Sequence, residues 1–571
     1  MTTGLAKRSQ DRSALRNLLA MRTSEVGEET TELRSVKNHR SAKGRLLVLG
    51  ALIFLGALLR CEHITQPFVE KFSWRQASTA MMAQNFYRGH WNILYPEVAW
   101  GGPGPNYQGR EFQIVTYIAA NLYRVLGQHE WVGRSVAVAF GLWGIFALYQ
   151  LTRRVWDDER ALVSAALMSV LPGAVFIERS FLPDPAMVAL VITGLWMLVA
   201  YCQTEQRHYL VLAALVGTLG ILTKLPGIVV GLPAVYAIYA LLGRRALERK
   251  RLMALLAAAA SVLIIVSTYY LWARHLSLTY PPYHFAGAHK FVSVAKIGKW
   301  IKHSYFVPDV TRHLVGWMWT LPVIVLVVIG LIRSPLELQK SECERGSRRA
   351  PWFFHWFGVA LLIQFFVEAQ HLVEDPQNMH LVNPFAAAMG GQALVSVSEW
   401  IYGRRYKSLR VAGLIGIVAL IALLGRQQLG VRYKPSYEHS YRIGTTVSKI
   451  ADSNDLIVSF GLNPVTIYYS RLRGWLFPPT EMWHTPRGWD YGQDDIDALK
   501  SLWEQGARWL AISNSNDEYK NARDLKEGRS ELWKFIETNF ELYDESEDGM
   551  IFRLPAYPSR STSEQRVFVA R

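Results

Sequence analysis

The sequence has little cysteine and none of the glycine-rich signatures of nucleotide-dependent enzymes. Its 571 residues include only Cys61, Cys202 and Cys343. By the topology predicted below, Cys61 faces outside and the other two face inside, so no pair shares an oxidising side and a disulfide framework is not expected. No Cys-x-x-Cys spacing indicates a metal site. A P-loop and a dinucleotide-binding glycine pattern are also missing, so neither ATP hydrolysis nor hydride transfer has support. No internal repeat is present, which argues against a repeat architecture.

Apolar and aromatic residues are abundant instead. Hydrophobic residues make up 50% of the chain, which contains 20 Trp, 26 Tyr and 24 Phe. A helix that crosses about 30 Å of hydrocarbon needs about 17 to 25 residues. The pattern predicts a polytopic α-helical membrane protein with about 11 transmembrane helices. The apolar segments are 46–59, 133–151, 161–177, 185–203, 209–222, 226–242, 252–272, 314–332, 352–372, 381–400 and 411–424.

The distribution of Lys and Arg predicts the orientation of these segments, because basic residues favour cytoplasmic ends. The tail, residues 1–45, is strongly basic and is predicted to be disordered and cytoplasmic. When successive apolar segments cross the membrane in alternate directions from this tail, the basic segments 244–251, 333–349 and 404–407 also lie on the cytoplasmic side. Orientation therefore explains the net charge of +16, and no nucleic-acid partner is needed. We expect an integral protein of the bacterial inner (plasma) membrane.

One loop, residues 274–312, disagrees with this rule, because it lies outside by the count yet is basic. Its lysines alternate with apolar residues at roughly helical spacing, which predicts a cationic interfacial helix facing the phosphate of a membrane lipid or of a lipid-linked substrate. The residues concerned are Lys290, Phe291, Val294, Lys296, Ile297, Lys299, Trp300, Ile301 and Lys302.

The remaining organisation follows from shifts in composition. A transmembrane domain covers residues 46–425 and includes a long first outer loop, 60–132, with a predicted amphipathic helix at 113–126. Residues 426–571 alternate short apolar runs (456–460, 509–512 and 550–554) with helical patterns (494–505 and 530–540). That alternation predicts a small extracytoplasmic α/β domain. It shows no catalytic constellation, so a role as lid or acceptor platform is expected.

Three charged residues stand at the predicted outer ends of the spans. Glu111 is either a solvated loop carboxylate or a carboxylate that accepts a proton or orients a nucleophile. Asp184, between Pro183 and Pro185, is either a helix cap or part of a site. Lys224 interrupts two apolar segments, so it either snorkels to the surface or has an anionic partner.

Four motifs that follow one another on this predicted face resemble those of the GT-C glycosyltransferases. The resemblance is to the dolichyl-phosphate-mannose protein mannosyltransferase and lipid A aminoarabinose transferase group, in a bacterial branch with Trp-Arg-Gln in the first loop. It covers about residues 46–400 in motif order and topology. The motifs are Trp74-Arg75-Gln76-Ala77-Ser78-Thr79-Ala80 with Ala83-Gln84-Asn85-Phe86-Tyr87, Gly109-Arg110-Glu111-Phe112, Arg179-Ser180-Phe181-Leu182-Pro183-Asp184-Pro185, and Thr223-Lys224.

The resemblance implies transfer of a sugar from a polyprenyl-phosphate donor, with inversion, at the outer membrane face. It implies that the catalytic carboxylate is Glu111 or Asp184, with Glu70 in reserve. Relatives of the aminoarabinose-transferase type carry an Asp-Glu pair where this chain has Arg75-Gln76, so their usual base is missing here. The donor phosphate is expected on Arg75, Lys224 and Arg110, and the substrate on Trp74, Gln76, Tyr107 and His380.

Two other classes of function remain open on the sequence. A lipid-linked sugar transporter or flippase would carry internal repeats and mid-span charges, and an inactive relative would explain the missing Asp-Glu pair. The sugar is undetermined, and the acceptor is a glycan, a lipid or a protein. Ligand spacing supports no metal site, and a divalent ion remains possible as a cofactor.

Overall fold

The computed structural model describes residues 43–89, 91–285, 306–333, 349–403, 405–479, 491–515 and 522–557. A first helix covers residues 43–60. The basic tail up to residue 42 and the predicted cationic helix at 290–302 lie outside the described residues, so both remain predictions.

Helices dominate the part of the chain up to residue 429. Each of the 11 predicted apolar segments coincides with helix, and the short helix predicted at 113–126 is confirmed as Ile114–Leu126. The main helices are Ser73–Arg88, Ile114–Leu126, Glu130–Val155, Asp158–Val170, Pro172–Arg179, Asp184–Thr204, Arg207–Thr223, Gly231–Leu242, Arg249–Thr279, Phe306–His313, Leu321–Ile332, Phe353–Val367, Ala369–Glu374, Val382–Tyr402 and Lys407–Leu429. Shorter helical turns lie at Leu225–Val230, Gly243–Leu247, Leu314–Met318 and Pro376–Leu381.

Five helical stretches among the described residues are long and apolar enough to cross a membrane, and up to seven if each bent pair forms one span. The pair Asp158–Val170 and Pro172–Arg179 bends by 60°, where Pro172 has no N–H to continue the ladder. Helices Arg207–Thr223 and Phe353–Val367 are apolar but shorter. The chain is a polytopic helical membrane protein, although length and composition alone support fewer spans than the predicted 11.

Helix Asp184–Thr204 lies at the centre of this body. It packs along Arg207–Thr223 and Glu130–Val155, and 83% of its most apolar window is buried. By contrast, helices Arg249–Thr279 and Lys407–Leu429 bury 11% of theirs, which is the behaviour of helices that face lipid. Any charged residue on the central helix is therefore enclosed by protein.

The C-terminal region contributes five strands to a six-stranded sheet, which confirms the predicted α/β architecture. The strands are β1 (Gly101–Gly102), β2 (Leu456–Phe460), β3 (Arg473–Phe477), β4 (Ala507–Ser513), β5 (Glu541–Ser546) and β6 (Gly549–Arg553), in the order β1-β3-β2-β4-β6-β5. Strands β3, β2 and β4 are parallel, and β1, β5 and β6 join antiparallel. Its helices are Glu438–Ile450, Val465–Ser470, Gln493–Glu504, Ala522–Gly528 and Glu531–Asn539.

Alternate residues of the strands pack into two different hydrophobic cores, because successive side chains along a strand point to opposite faces of the sheet. Ile457, Trp509 and Ile551 belong to a core shared with helices Ser73–Arg88 and Ile114–Leu126 of the first loop. Val458 and Leu510 belong to the core under helices Gln493–Glu504 and Glu531–Asn539. The sheet is thus buried on both faces, and the first loop covers one of them.

The first loop also supplies an edge strand to this sheet. Gly101 and Gly102 of β1 pair with Trp475 and Gly474 of β3. Gly102 has φ 105°, and a Cβ there would stand 2.9 Å from Nε1 of Trp475, so glycine permits the approach. The first loop and the C-terminal region therefore form one folded structure.

Candidate functional site

Residues 109–112 of the first loop are seated against two membrane helices. The N–H of Phe112 donates to the carbonyl of Leu222 at 2.9 Å, and the hydroxyl of Tyr269 donates to the carbonyl of Arg110 at 3.1 Å. A Cβ on Gly109 would lie 2.2 Å from the carbonyl oxygen of Ala273, so only glycine fits this contact. These contacts bring the side chains of residues 110 and 111 close to Lys224.

Glu111 is buried between two guanidinium groups. Its Oε1 is 3.2 Å from Nη2 of Arg75 and 3.4 Å from Nη2 of Arg110. Burial alone would raise the pKa of Glu111, but the charges of Arg110, Arg75 and Lys224 outweigh it and lower that pKa to about 2. The carboxylate is therefore ionised at any physiological pH, and the structure does not support the alternative of a solvated loop acid.

The two arginines respond differently to the same surroundings. Burial lowers the pKa of Arg75, but the charges of Glu111, Asp375 and Asp184 raise it above its usual value. Burial and the charge of Arg75 lower the pKa of Arg110 to about 10. Both side chains are cationic near neutral pH, and together they carry one more positive charge than Glu111 neutralises.

Asp184 and Lys224 form a buried ion pair. Nζ of Lys224 is 2.5 Å from Oδ1 of Asp184, and both side chains are nearly inaccessible. Asp184 is the first residue of its helix, but neither it nor the preceding Pro183 makes a capping bond. The pair therefore compensates the buried ammonium, and neither a helix cap nor a snorkelling lysine describes these residues. Oδ2 of Asp184 has no hydrogen-bond partner among the described residues.

The Glu111 contacts and the Asp184–Lys224 pair belong to one electrostatic cluster. We call it the cation cluster, and its members are Arg75, Arg110, Lys224, Glu111 and Asp184. Lys224 acts on Glu111, and Asp184 acts on Arg75. The structure therefore brings together both proposed catalytic carboxylates and all three cations predicted for the donor phosphate.

Two further carboxylates border the cation cluster and were missed from the sequence. Asp375 acts electrostatically on Arg75 and Arg110, and Glu368, which is buried, acts on Lys224. Both lie more than 140 residues along the chain from Lys224. No local motif marks either position, so only the tertiary fold could reveal them.

Glu70 and Gln76 lie in a different network. Oε1 of Glu70 is 2.6 Å from Nη2 of Arg134 and 3.0 Å from Nη1 of Arg179, and these three side chains are fully buried. Gln76 donates to Glu70 at 3.0 Å. The arginines also donate to the backbone carbonyls of residues 62, 63, 64, 66 and 67. This Glu70 network fastens the start of the first loop to the membrane helices.

His380 is likewise held in a buried ionic contact, away from the cation cluster. Its Nε2 is 3.1 Å from Oε1 of Glu178, and its Nδ1 is 2.9 Å from Nδ2 of Asn383. Arg60 pairs with the other oxygen of Glu178 at 2.6 Å. This contact joins three segments of the membrane body.

Trp74 and Tyr107 lie where the first loop meets other segments. The indole N–H of Trp74 donates to the carbonyl of Leu462 at 2.8 Å, and its ring packs on Trp100. Tyr107 packs edge-on against Tyr95 and Tyr280, each with ring centroids 5.0 Å away. Both side chains are partly exposed, which leaves each able to touch a ligand.

The described residues contain no group of three or more His, Cys, Asp or Glu side chains placed to hold a metal ion. The carboxylates of the cation cluster are paired with Lys and Arg instead. In this arrangement the three cations are the groups suited to an anionic oxygen.

Comparisons with known proteins agree with this architecture. Residues 113–272 match the dolichyl-phosphate-mannose-protein mannosyltransferase family. That segment contains Asp184 and Lys224, whereas Arg75, Arg110 and Glu111 precede it. No curated protein matches the sequence significantly.

Two solved structures show how far the similarity extends. ArnT from Cupriavidus metallidurans, bound to undecaprenyl phosphate, is 13% identical with a TM-score of 0.59, covering 90% of this chain and 98% of that one. The Archaeoglobus fulgidus oligosaccharyltransferase is 11% identical with a TM-score of 0.55, covering 90% of this chain and 75% of that one. The chain shares the fold of these GT-C glycosyltransferases, and its residues 113–272 match the dolichyl-phosphate-mannose-protein mannosyltransferase family.

Proposed function

We propose that this protein is a membrane glycosyltransferase that moves a sugar from a polyprenyl-phosphate donor to an acceptor, with inversion, at the outer face of the membrane. The observation that carries the proposal is the cation cluster, in which three cations and two carboxylates meet at the seat of the first loop. Two similar structures add support. ArnT from Cupriavidus metallidurans holds undecaprenyl phosphate, and the Archaeoglobus fulgidus oligosaccharyltransferase AglB holds dolichol-phosphate and an inhibitory peptide.

Arg75, Arg110 and Lys224 are proposed to bind the donor phosphate. Charge-assisted hydrogen bonds to phosphate are about twice as strong as neutral ones. In direct displacement, the acceptor hydroxyl attacks the anomeric carbon while the bond from that carbon to the phosphate oxygen breaks. The leaving polyprenyl phosphate then takes the electron pair, and the cations stabilise the negative charge that develops on it.

A carboxylate must accept the proton that the acceptor hydroxyl loses. Asp184 suits this role because its Oδ2 is not engaged by any described residue. Glu111, whose pKa is about 2, is a weak base while three cations surround it, and we propose that it orients Arg75 and Arg110. Phosphate binding would compete with Glu111 for those cations.

Other residues are proposed to support this site. Glu70 and Gln76 position the first loop, because both are buried in the Glu70 network. His380 positions the membrane helices, because it is buried against Glu178. Trp74 and Tyr107 are proposed to contact the substrate near the C-terminal sheet. The basic cytoplasmic ends described above favour an extracytoplasmic C-terminal domain.

The proposal is tested by measuring sugar transfer in purified protein reconstituted with labelled polyprenyl-phosphate sugars. Glycan analysis of a strain lacking this chain identifies which sugar and acceptor to use. We expect transfer in the wild-type protein and its loss in Asp184→Asn, while the control Glu438→Gln, at a partly exposed acid outside the cation cluster, retains it. Translocation of the lipid-linked sugar without transfer would instead identify a flippase, and binding alone an inactive relative.

A further inference from the structure

A second cationic cavity lies away from the cation cluster. It has a volume of about 220 Å³ and is formed where the end of helix Ser73–Arg88 meets residues 467–473 of the C-terminal region. Three arginines line it, Arg88, Arg471 and Arg473, together with the amides Gln84 and Asn85. We call this the arginine cavity.

The charges of the arginine cavity are only partly neutralised. Arg473 pairs with Glu97 at 2.6 Å. Among the described residues, neither Arg88 nor Arg471 forms an ion pair with a carboxylate. Both side chains are exposed, and partial burial with the nearby charges of Arg471 and Arg473 lowers the pKa of Arg88. Three guanidinium groups and one carboxylate leave two positive charges, and such repulsion is relieved by an anion.

The backbone of Arg471 permits a clean test of its side chain. Arg471 follows helix Val465–Ser470 in the left-handed conformation, with φ 60°. Glycine is the residue favoured at this position after a helix, because a Cβ is disfavoured there. A glycine replacement would therefore remove the charge without straining the backbone.

Size and distance limit what can bind. The cavity is smaller than the roughly 300 to 1,000 Å³ of sites for drug-sized ligands, so it fits one charged group with part of a sugar. Arg75 and Arg88 are 13 residues apart on one helix, which places them about 20 Å apart at about 1.5 Å per residue. The group bound here is therefore separate from the donor phosphate.

We propose that the arginine cavity binds a phosphate or carboxylate group carried by the acceptor. The planar fork of arginine matches both anions. That the bound molecule is an acceptor rests on the proposed function, whereas the anion site itself follows from the cavity. It makes the acceptor an acidic molecule, and helix Ser73–Arg88 the element that spans both binding sites.

Direct binding measurements separate this inference from catalysis. Calorimetric titrations of the purified protein use glucose 6-phosphate, glucuronate and neutral glucose as soluble probes, and dihexanoyl phosphatidic acid as a lipid-borne phosphate. We expect saturable binding of an anionic probe, weaker at high salt, and none of glucose. The comparison of soluble and lipid probes shows which carrier the site accepts.

Two variants remove the cavity charges. Arg471→Gly suits the left-handed backbone and is expected to keep the fold, and Arg88→Gln keeps a polar side chain. Each is expected to weaken anion binding about tenfold or more, since hydrogen bonds to charged groups contribute about 1.5–3 kcal/mol. The control Arg508→Gln, exposed and outside the cavity, is expected to leave binding unchanged.

Equal binding in all variants, or no binding of any anionic probe to the wild-type protein, would overturn the inference. Failure of sugar transfer combined with charge-dependent anion binding would overturn the proposed function alone. A folded state is verified for each variant by thermal unfolding.

Discussion

The cation cluster and the Glu70 network contain the same kinds of group and use them differently. In the Glu70 network, Arg134 and Arg179 bond the carboxylate at 2.6 and 3.0 Å and also donate to backbone carbonyls. In the cation cluster, Arg75 and Arg110 reach Glu111 only at 3.2 and 3.4 Å, and their Nε atoms have no partner among the described residues. Buried arginine thus anchors the backbone in the Glu70 network, whereas in the cation cluster we propose that it binds an anion.

Replacing Asp184 should have the largest effect on catalysis. We expect Asp184→Asn to lower kcat by about 10² to 10⁴-fold, the contribution of a positioned base, because the amide cannot accept the proton. Single-turnover transfer measurements check this. Unchanged turnover in a folded protein would remove Asp184 from the proposed mechanism.

Replacing Glu70 should mainly lower the stability of the folded protein. Glu70→Ala leaves two buried guanidinium groups without their carboxylate, and breaking a buried pair costs about 3–5 kcal/mol. Thermal unfolding in detergent should show a larger loss of stability than Glu111→Gln does, because the guanidinium groups reach Glu111 only at 3.2 and 3.4 Å. A stable Glu70→Ala protein that lacks activity would show that the two regions do not differ in this way.

Replacing Lys224 tests whether it serves both donor and Asp184. Lys224→Gln should raise the KM for donor by about tenfold or more, because a charge-assisted contact to phosphate is lost, and it should leave Asp184 buried without its cation. The double variant Asp184→Asn/Lys224→Gln should be more stable than the lysine variant alone, since no buried charge remains unpaired. Additive losses of stability would contradict their coupling.

The smallest effect concerns pH. The pKa of Glu111 is lowered to about 2, so its contribution to stability is present above the ordinary glutamate value, about 4.3, and is lost as pH falls toward 2. The difference in unfolding temperature between wild type and Glu111→Gln should stay constant from pH 5 to 8 and diminish only below about pH 4. A change centred near neutrality would contradict the proposed pairing with Arg75 and Arg110.

Local patterns predicted the regular parts of the fold. Apolar runs located the membrane helices, and short apolar segments located β2, β4 and β6. Strand β3, Arg473–Phe477, is short with an interior glycine, and β5, Glu541–Ser546, is largely exposed and polar, so neither has a clear pattern of alternation. Strand β1 has no such pattern either, because its partner lies more than 370 residues away along the chain.

The candidate site shows the same limit. Motif order indicated Arg75, Arg110, Glu111, Asp184 and Lys224, which the fold brings together. Sequence alone could not separate Glu70 from Glu111, because burial depends on segments distant in the chain. Arg75 and Gln76 are neighbours, yet the roughly 100° turn between successive helical residues directs them into different networks.

The edge strand β1 has a consequence for how the protein can move. Gly101–Gly102 are joined to β3, and the same loop continues to Arg110 and Glu111. Moving the region after residue 425 would displace the segment that positions these two side chains, and deleting that region would remove the partner strand of β1. In the proposed mechanism, an acceptor bound to this sheet would be connected through β1 to the cation cluster.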